Sequence, residues 1–450
     1  MSGRFDGVRA VVVGAGVAGA SAARVLLDLG AHVVVTDARD ANQLNGAVAT
    51  LEAAGADVHT GGHAPHDLDD ATLVVVSPGV TPDAPITTWA RDRGIPVWGE
   101  LELGAQIATV PYLAVTGTNG KTTTTGMIAS CLTAAGMDAV ACGNIGHPFP
   151  EAAAGSHEVL VVEASSFQLS TQSSFHPVVS VLLNLDEDHV DWHGSTDAYR
   201  RAKARIFAMQ TATDVHVGNR DDARAAEISA TAPCPVVWIR TGEPADGEIG
   251  YISGELTARL DAVTVSLGPI DTPRAGYRED AAAAAAAALS FGAPPTAVID
   301  GLANFVPAAH RGDVVAEIEG VRFIDNSKAT NVHAALAAIA AVDGPLVLIA
   351  GGRAKGQDLA PLGQVAGRLD AVVAIGESAE EIVALLGDRT EAREATSMKE
   401  ATRMAFERCP HAGTVLLAPA CASWDMYKDY RERGEDFAAC ARTLGDVQHA

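Results

Sequence analysis

Short apolar, β-branched runs recur along the chain, and each gives way to a helix-like stretch. Val8 to Val13, His32 to Thr36 and Thr72 to Ser77 read as strands, with a helix reaching Leu29 after the first. The pattern returns at Tyr112 to Thr116, Val159 to Glu163 and Val178 to Leu185. It returns again at Val321 to Asp325, Pro345 to Ala350, Ala371 to Ile375 and Val415 to Ala418. Such alternation predicts α/β layers with largely parallel sheets. The runs form three groups, which predicts domains over 1–99, 100–307 and 308–450, the first closed by the Pro/Gly-rich stretch between Pro78 and Pro96. Eight alanines, Ala281 to Ala288, predict a buried or half-buried helix, since alanine is the best helix former.

Composition narrows the class. The 450 residues are 48% hydrophobic and 20% charged, which fits a folded globular chain and excludes a small disulfide module. A net charge of −24 removes any general attraction to nucleic acid or anionic lipid, so an anionic ligand needs a local site. Six scattered cysteines without a C-x-x-C pair read as reduced thiols. Neither a signal peptide nor an apolar span of about 20 residues is visible, which predicts a cytoplasmic protein that does not enter a membrane.

The strongest chemical signal is Gly117-Thr118-Asn119-Gly120-Lys121-Thr122, directly after an apolar strand and before a helix expected to run to about Ala135. A glycine turn lets backbone N–H groups approach phosphate oxygens, the helix N-terminus adds positive potential, and a lysine adds a full charge. Thr122 would place a hydroxyl on the magnesium that accompanies a nucleotide. Val115 stands where the strict phosphate-loop pattern has its first glycine, so this is a shorter version of that turn. Near the N-terminus, Gly14, Gly16 and Gly19 follow a strand, and Asp37 ends the next one. A NAD(P) site, another nucleotide ligand and a packing turn all fit that spacing, and the downstream phosphate loop favours the second.

Ligands of parallel sheets collect outside the carboxyl ends of strands. Glu163 and His189 both fall at such ends and could bind magnesium beside the loop. Three further strand ends, Asp325-Asn326-Ser327-Lys328-Ala329-Thr330, Gly352-Arg353-Ala354-Lys355 and Ser423-Trp424-Asp425, carry Lys, Thr and Ser donors suited to a carboxylate or phosphate.

G-T-N-G-K-T, G-N-I-G from Gly143, E-A-S-S-F-Q-L, N-L-D-E-D-H, Y-R-R-A-K ending at Lys203, A-H-R ending at Arg311, D-N-S-K-A-T-N, G-G-R-A-K-G and P-A-C-A-S-W-D-M-Y occur in one order across nearly the whole chain. With them the sequence resembles the Mur ligase family, in the branch that adds D-glutamate. The resemblance implies a Rossmann-like N-terminal domain, a central ATPase domain and a Rossmann-like C-terminal domain. It also implies ATP-dependent ligation of D-glutamate to UDP-N-acetylmuramoyl-L-alanine, with two Mg²⁺ ions, by a monomer. ATP would be held by Gly117, Thr118, Asn119, Gly120, Lys121, Thr122, Thr123, Arg311 and Asp325. Metal would be held by Thr122, Glu163, His189 and a carbamylated Lys203, and catalysis would centre on Lys121, Lys203 and His189. Asp37, Arg39, Ser77 and Gly79 would hold the uridine end, and Asn144, Ser165 and Gln168 the muramoyl part. Lys328, Thr330, Lys355, Ser423 and Tyr430 would meet the incoming amino acid. Where the family has H-N-x-x-N before its alanine-rich helix, this chain has Tyr277-Arg278-Glu279-Asp280. Three alternatives stand beside this reading: a related ligase using L-glutamate, a non-catalytic nucleotide binder, and a NAD-dependent oxidoreductase resting on the first glycine turn.

Overall fold

The structure, a computed structural model, describes residues 4–44, 46–186, 190–260, 263–270 and 276–448. His189, a predicted metal ligand, lies outside the described residues. Three sheets carry the α/β architecture, as the alternation predicts. The first comprises β1 (Arg9–Val13), β2 (His32–Asp37), β3 (Asp57–Thr60), β4 (Leu73–Val76) and β5 (Val97–Gly99), all parallel in the order β3-β2-β1-β4-β5. The order reverses direction between β1 and β4, so the glycine turn after β1 opens into the crevice where such sheets bind ligands.

The central sheet contains β6 (Tyr112–Thr116), β7 (Ala139–Gly143), β8 (Val159–Glu163), β9 (Val179–Leu182), β10 (Val215–Asn219), β11 (Val236–Ile239), β12 (Glu248–Ile252), β13 (Glu255–Leu260) and β14 (Val263–Pro269). Their order is β14-β13-β12-β11-β10-β9-β6-β8-β7. The parallel part follows from the Val- and Leu-rich runs, buried on both faces. The antiparallel pairs β12–β13 and β13–β14 extend one edge. The third sheet holds β15 (Asp313–Ile318), β16 (Val321–Asp325), β17 (Leu346–Gly351), β18 (Ala371–Ile375), β19 (Glu391–Glu394) and β20 (Thr414–Leu417) in the order β15-β16-β20-β17-β18-β19. It is parallel except for the edge pair β15–β16.

The chain forms two compact units. The described residues of 1–185, 197–270 and 279–305 make the first, and those of 186–196, 271–278 and 306–450 the second. In the first unit one core runs from Val12 and Leu26 of the N-terminal sheet layer through Leu101 to Phe149 and Phe175 of the central layer. The two α/β domains are thus joined by shared apolar burial, which local periodicity does not reveal.

Two local readings change. The stretch between Pro78 and Pro96 contains a helix, Pro85–Asp92, because proline at its first position has its φ already set and lacks only an N–H that no helix would use. The run to Leu185 is a strand only to Leu182; beyond it Leu183 and Asn184 stay alongside the chain that follows β6, the Leu183 N–H donating to the Thr116 carbonyl and the Thr118 N–H to the Asn184 carbonyl. The alanine run lies in the helix Tyr277–Phe291, with Ala281 to Ala288 all buried. All six cysteines are free thiols. No helix among the described residues is long and apolar enough to cross a membrane.

Candidate functional site

Sheet register brings distant residues to one edge. Val115 on β6 lies opposite Glu163 on β8, Glu163 lies opposite Gly143 on β7, and Thr116 lies opposite Leu182 on β9. The residues immediately beyond these strand ends therefore meet: the turn 117–120, Asn144, Ala164–Ser165 and Asn184. Gly120, in the left-handed region at φ +82°, ends the turn and caps the helix Lys121–Ala134. A side chain at Gly120 would overlap the Asp280 carboxylate, so the turn needs glycine there.

Two lysines converge on this turn. Lys121 Nζ donates to the carbonyls of Gly117 at 2.9 Å and Thr118 at 2.8 Å. Lys203, from the helix Thr196–Ala204 and only 2% exposed, donates to the same Gly117 carbonyl at 2.7 Å and lies over the Tyr199 ring. They concentrate positive charge on a chain that is otherwise strongly acidic. Tyr199 is hydrogen-bonded to the Thr118 hydroxyl at 3.0 Å.

Glu163 is buried at the end of β8, where Thr122 Oγ1 donates to one carboxylate oxygen at 2.8 Å and Asn144 Nδ2 to the other at 3.0 Å. A hydroxyl and a carboxylate side by side at a phosphate loop form a hard-oxygen donor set, which suits Mg²⁺. Among the described residues, no group of three or more His, Cys, Asp and Glu side chains is arranged to hold a metal. Mg²⁺ is usually held by one or two carboxylates plus substrate phosphates, so one carboxylate here is compatible with it.

The neighbouring side chains are committed to local structure. Ser165 caps the helix Ser166–Ser170: its backbone N–H and its hydroxyl both donate to Gln168 Oε1, and its oxygen accepts from the Gln168 N–H. Gln168 Nε2 reaches Glu100 Oε2 at 3.3 Å. Sequence reading missed Glu100, a carboxylate 4% exposed with its other oxygen unpartnered. Burial pushes its pKa up to about 7 from 4.5, offset in part by the Gln168 hydrogen bond. The folded protein therefore takes up a proton between those values, and stability falls as pH rises from about 4.5 to 7. Glu100→Gln is expected to remove that slope and to raise stability above pH 7 by up to about 3 kcal/mol, at about 1.4 kcal/mol per pKa unit. Denaturant titrations at pH 5 and 8 test this, and an unchanged slope would place the titration elsewhere.

At the N-terminal sheet, the Asp37 carboxylate accepts from the Ala15 N–H at 2.7 Å and from Arg39 Nε at 3.0 Å and Nη2 at 2.8 Å. The Arg39 hydrogen bond is the main reason its pKa lies well below the ordinary carboxylate range. A Cβ at Gly19 would overlap the Gly14 carbonyl, so this glycine permits close helix–strand approach. The Ser77 N–H donates to the Val13 carbonyl, its Oγ is buried without a hydrogen-bond partner beside Gly14, and Gly79 is exposed in the adjoining turn.

In the second unit, Asp325 on β16 is level with Leu417 on β20, Leu417 with Ile349 on β17, and Gly351 with Ile375 on β18. Lys328 Nζ lies 4.3 Å from the centre of the Tyr430 ring, and the Thr330 N–H donates to the Lys328 carbonyl. Asp325 is occupied internally, accepting from the Ser327 N–H at 2.9 Å and pairing with His310 at 2.6 Å. The Arg311 N–H donates to Asp313 at 3.3 Å, Lys355 takes a left-handed φ of +56°, and Ser423 is buried with its carbonyl accepting from the Met426 and Tyr427 N–H groups. Arg433, 1% exposed and absent from the sequence reading, ties these strand ends together by donating to Ser327 Oγ and to the carbonyls of Ser327, Gly351 and Cys421.

Residues 8–99 match a family model described as Mur ligase MurD-like, N-terminal domain. Residues 115–287 match the Mur ligase middle domain and 310–421 the Mur ligase glutamate ligase domain. A relative from Frankia casuarinae named UDP-N-acetylmuramoylalanine--D-glutamate ligase is 43% identical, covering 97% of this chain and 94% of its own. One of the same name from Streptomyces avermitilis is 40% identical, over 98% and 99%. Among solved structures, MurF from Acinetobacter baumannii superposes with a TM-score of 0.61 at 19% identity, over 96% of this chain and 93% of that one. UDP-N-acetylmuramate-alanine ligase MurC from Thermotoga maritima gives 0.59 at 18%, over 97% and 99%. At such identities the structural likeness speaks for the fold.

Proposed function

This chain belongs to the Mur ligase family, and on that premise we propose that it joins D-glutamate to the L-alanyl carboxylate of UDP-N-acetylmuramoyl-L-alanine at the expense of ATP, in the cytoplasm. The convergence of Lys121 and Lys203 on the Gly117 carbonyl, beside the Thr122–Glu163 pair, carries the ATP part of this reading. Near-full-length identity to D-glutamate-adding relatives carries the choice of substrates. We assign 1–99 to the uridine end, 100–307 to ATP and 308–450 to glutamate.

A carboxylate oxygen is a poor leaving group, so the acid must first be primed. Its oxygen attacks the γ-phosphorus, the bond to the bridging oxygen breaks, and ADP leaves an acyl phosphate. The glutamate nitrogen then attacks the acyl carbon, loses a proton, and inorganic phosphate departs. Lys121 sits at the start of its helix, where its charge and the helix N-terminus would stabilise the oxygens that gain negative charge during transfer. Thr122 and Glu163 would hold magnesium, which supplies neutralising charge to the phosphates. Carbamylation of Lys203 would keep one N–H for the Gly117 carbonyl while adding a carboxylate for a second ion, with His189 as a further ligand. Gln168 and Asn144 would orient the muramoyl arm, and Asp37, Arg39, Ser77 and Gly79 the uridine end. Lys328, Thr330, Lys355, Ser423 and Tyr430 would receive glutamate.

Phosphate release measured with UDP-N-acetylmuramoyl-L-alanine, ATP and either glutamate enantiomer tests the reading. Release is expected with D-glutamate and not with L-glutamate, and none without acceptor. Preference for L-glutamate would move the chain to another ligase branch, and silence under every pairing would leave a nucleotide binder.

A further inference from the structure

Two turn amides that would ordinarily be counted as phosphate donors are already engaged. The Thr118 N–H donates to the Asn184 backbone carbonyl at 2.9 Å, and the Asn119 N–H to Asn184 Oδ1 at 2.8 Å. Asn184 is buried, and the segment holding it continues the β6–β9 pairing, with the Leu183 N–H donating to the Thr116 carbonyl. The other end of its carboxamide donates from Nδ2 to Glu279 Oε1 at 2.9 Å. An amide N–H on one side and a carboxylate on the other demand the same orientation of the carboxamide, so Glu279 fixes which end faces the turn. The next residue, Asp280, accepts from Thr124 Oγ1 at 3.1 Å and abuts Gly120. The first turn of the helix Tyr277–Phe291 thus braces both the middle and the end of the loop.

We propose that Asn184 and Glu279 are positioning residues for nucleotide binding: through their hydrogen bond they hold the 117–120 turn in the shape that receives phosphate. The proposal rests on the reading that this loop takes ATP. Phosphate contact falls to the helix N-terminus and Lys121, and the Thr118–Asn119 segment becomes scaffold.

Exchanging the donor and acceptor ends of the link tests it. In Asn184→Asp two carboxylates face each other across the former hydrogen bond, so the turn should lose its brace and KM for ATP should rise about tenfold, equivalent to about 1.4 kcal/mol, with kcat changed much less. Adding Glu279→Gln restores a donor–acceptor pair with reversed polarity. The double variant should return KM to within about twofold of wild type, a non-additivity expected only of directly coupled residues. An unchanged KM in Asn184→Asp, or a double variant no better than the single, overturns the proposal. Wild type that fails to turn over ATP overturns the underlying reading instead. Should Asn184→Asp not fold, Glu279→Ala, a half-buried site at a helix start, reads the same link: KM for ATP raised severalfold supports it and an unaltered KM refutes it.

Discussion

Replacing Lys121 by alanine is expected to cut ATP turnover by roughly 10²- to 10³-fold, the loss typical when one preorganised charge-stabilising donor is removed from a transition state. The fold should survive. Lys121 contributes two hydrogen bonds to carbonyls of its own turn, and the apolar anchors of its helix, Met127, Ile128, Cys131 and Leu132, remain in the core. Alanine is also at least as good a helix former as lysine. Circular dichroism and phosphate release measured on one preparation check both halves. Near-normal release with an unaltered spectrum would remove Lys121 from phosphoryl transfer.

Lys203→Ala should be of comparable severity, for a different reason. Its ammonium is buried against the Tyr199 ring and the Gly117 carbonyl, so truncation empties space behind the loop and strips that carbonyl of a donor. If the side chain works as a carbamate, the missing function is a carboxylate, and bicarbonate, formate or acetate should restore part of the rate. Methylamine, which replaces only the ammonium, should not. Activity assayed across a titration of each additive separates the two chemistries. Full activity without additive would exclude Lys203 from the mechanism, and rescue by the amine alone would make it a scaffold cation.

These two lysines differ in how they could be found. Lys121 is legible from eight consecutive residues, because strand, turn and helix N-terminus are contiguous in any phosphate loop. Lys203 stands 82 residues further on, in a helix without distinctive composition, and only family resemblance marked it. Glu100 and Asn184 show the limit more sharply. Each sits beside a recognisable motif, yet its role depends on Gln168 and Glu279, partners 68 and 95 residues away. Arg433 likewise gathers three strand ends that only the assembled third sheet brings within reach.

The sequence by itself marked β1, β2, β4, β6, β8, β9, β16, β17, β18 and β20, the glycine turns that follow β1 and β6, and the alanine helix, since each depends on neighbours within one element's length. The tertiary structure alone decided which polar groups of those turns are spent and which stay available: Thr118 and Asn119 amides on Asn184, Ser165 on its own helix cap, Asp325 on His310 and Ser327. The physical reason is that a hydrogen bond saturates. A donor's type is written in the chain, but whether it still has a proton to offer depends on what the fold has placed within 3 Å of it.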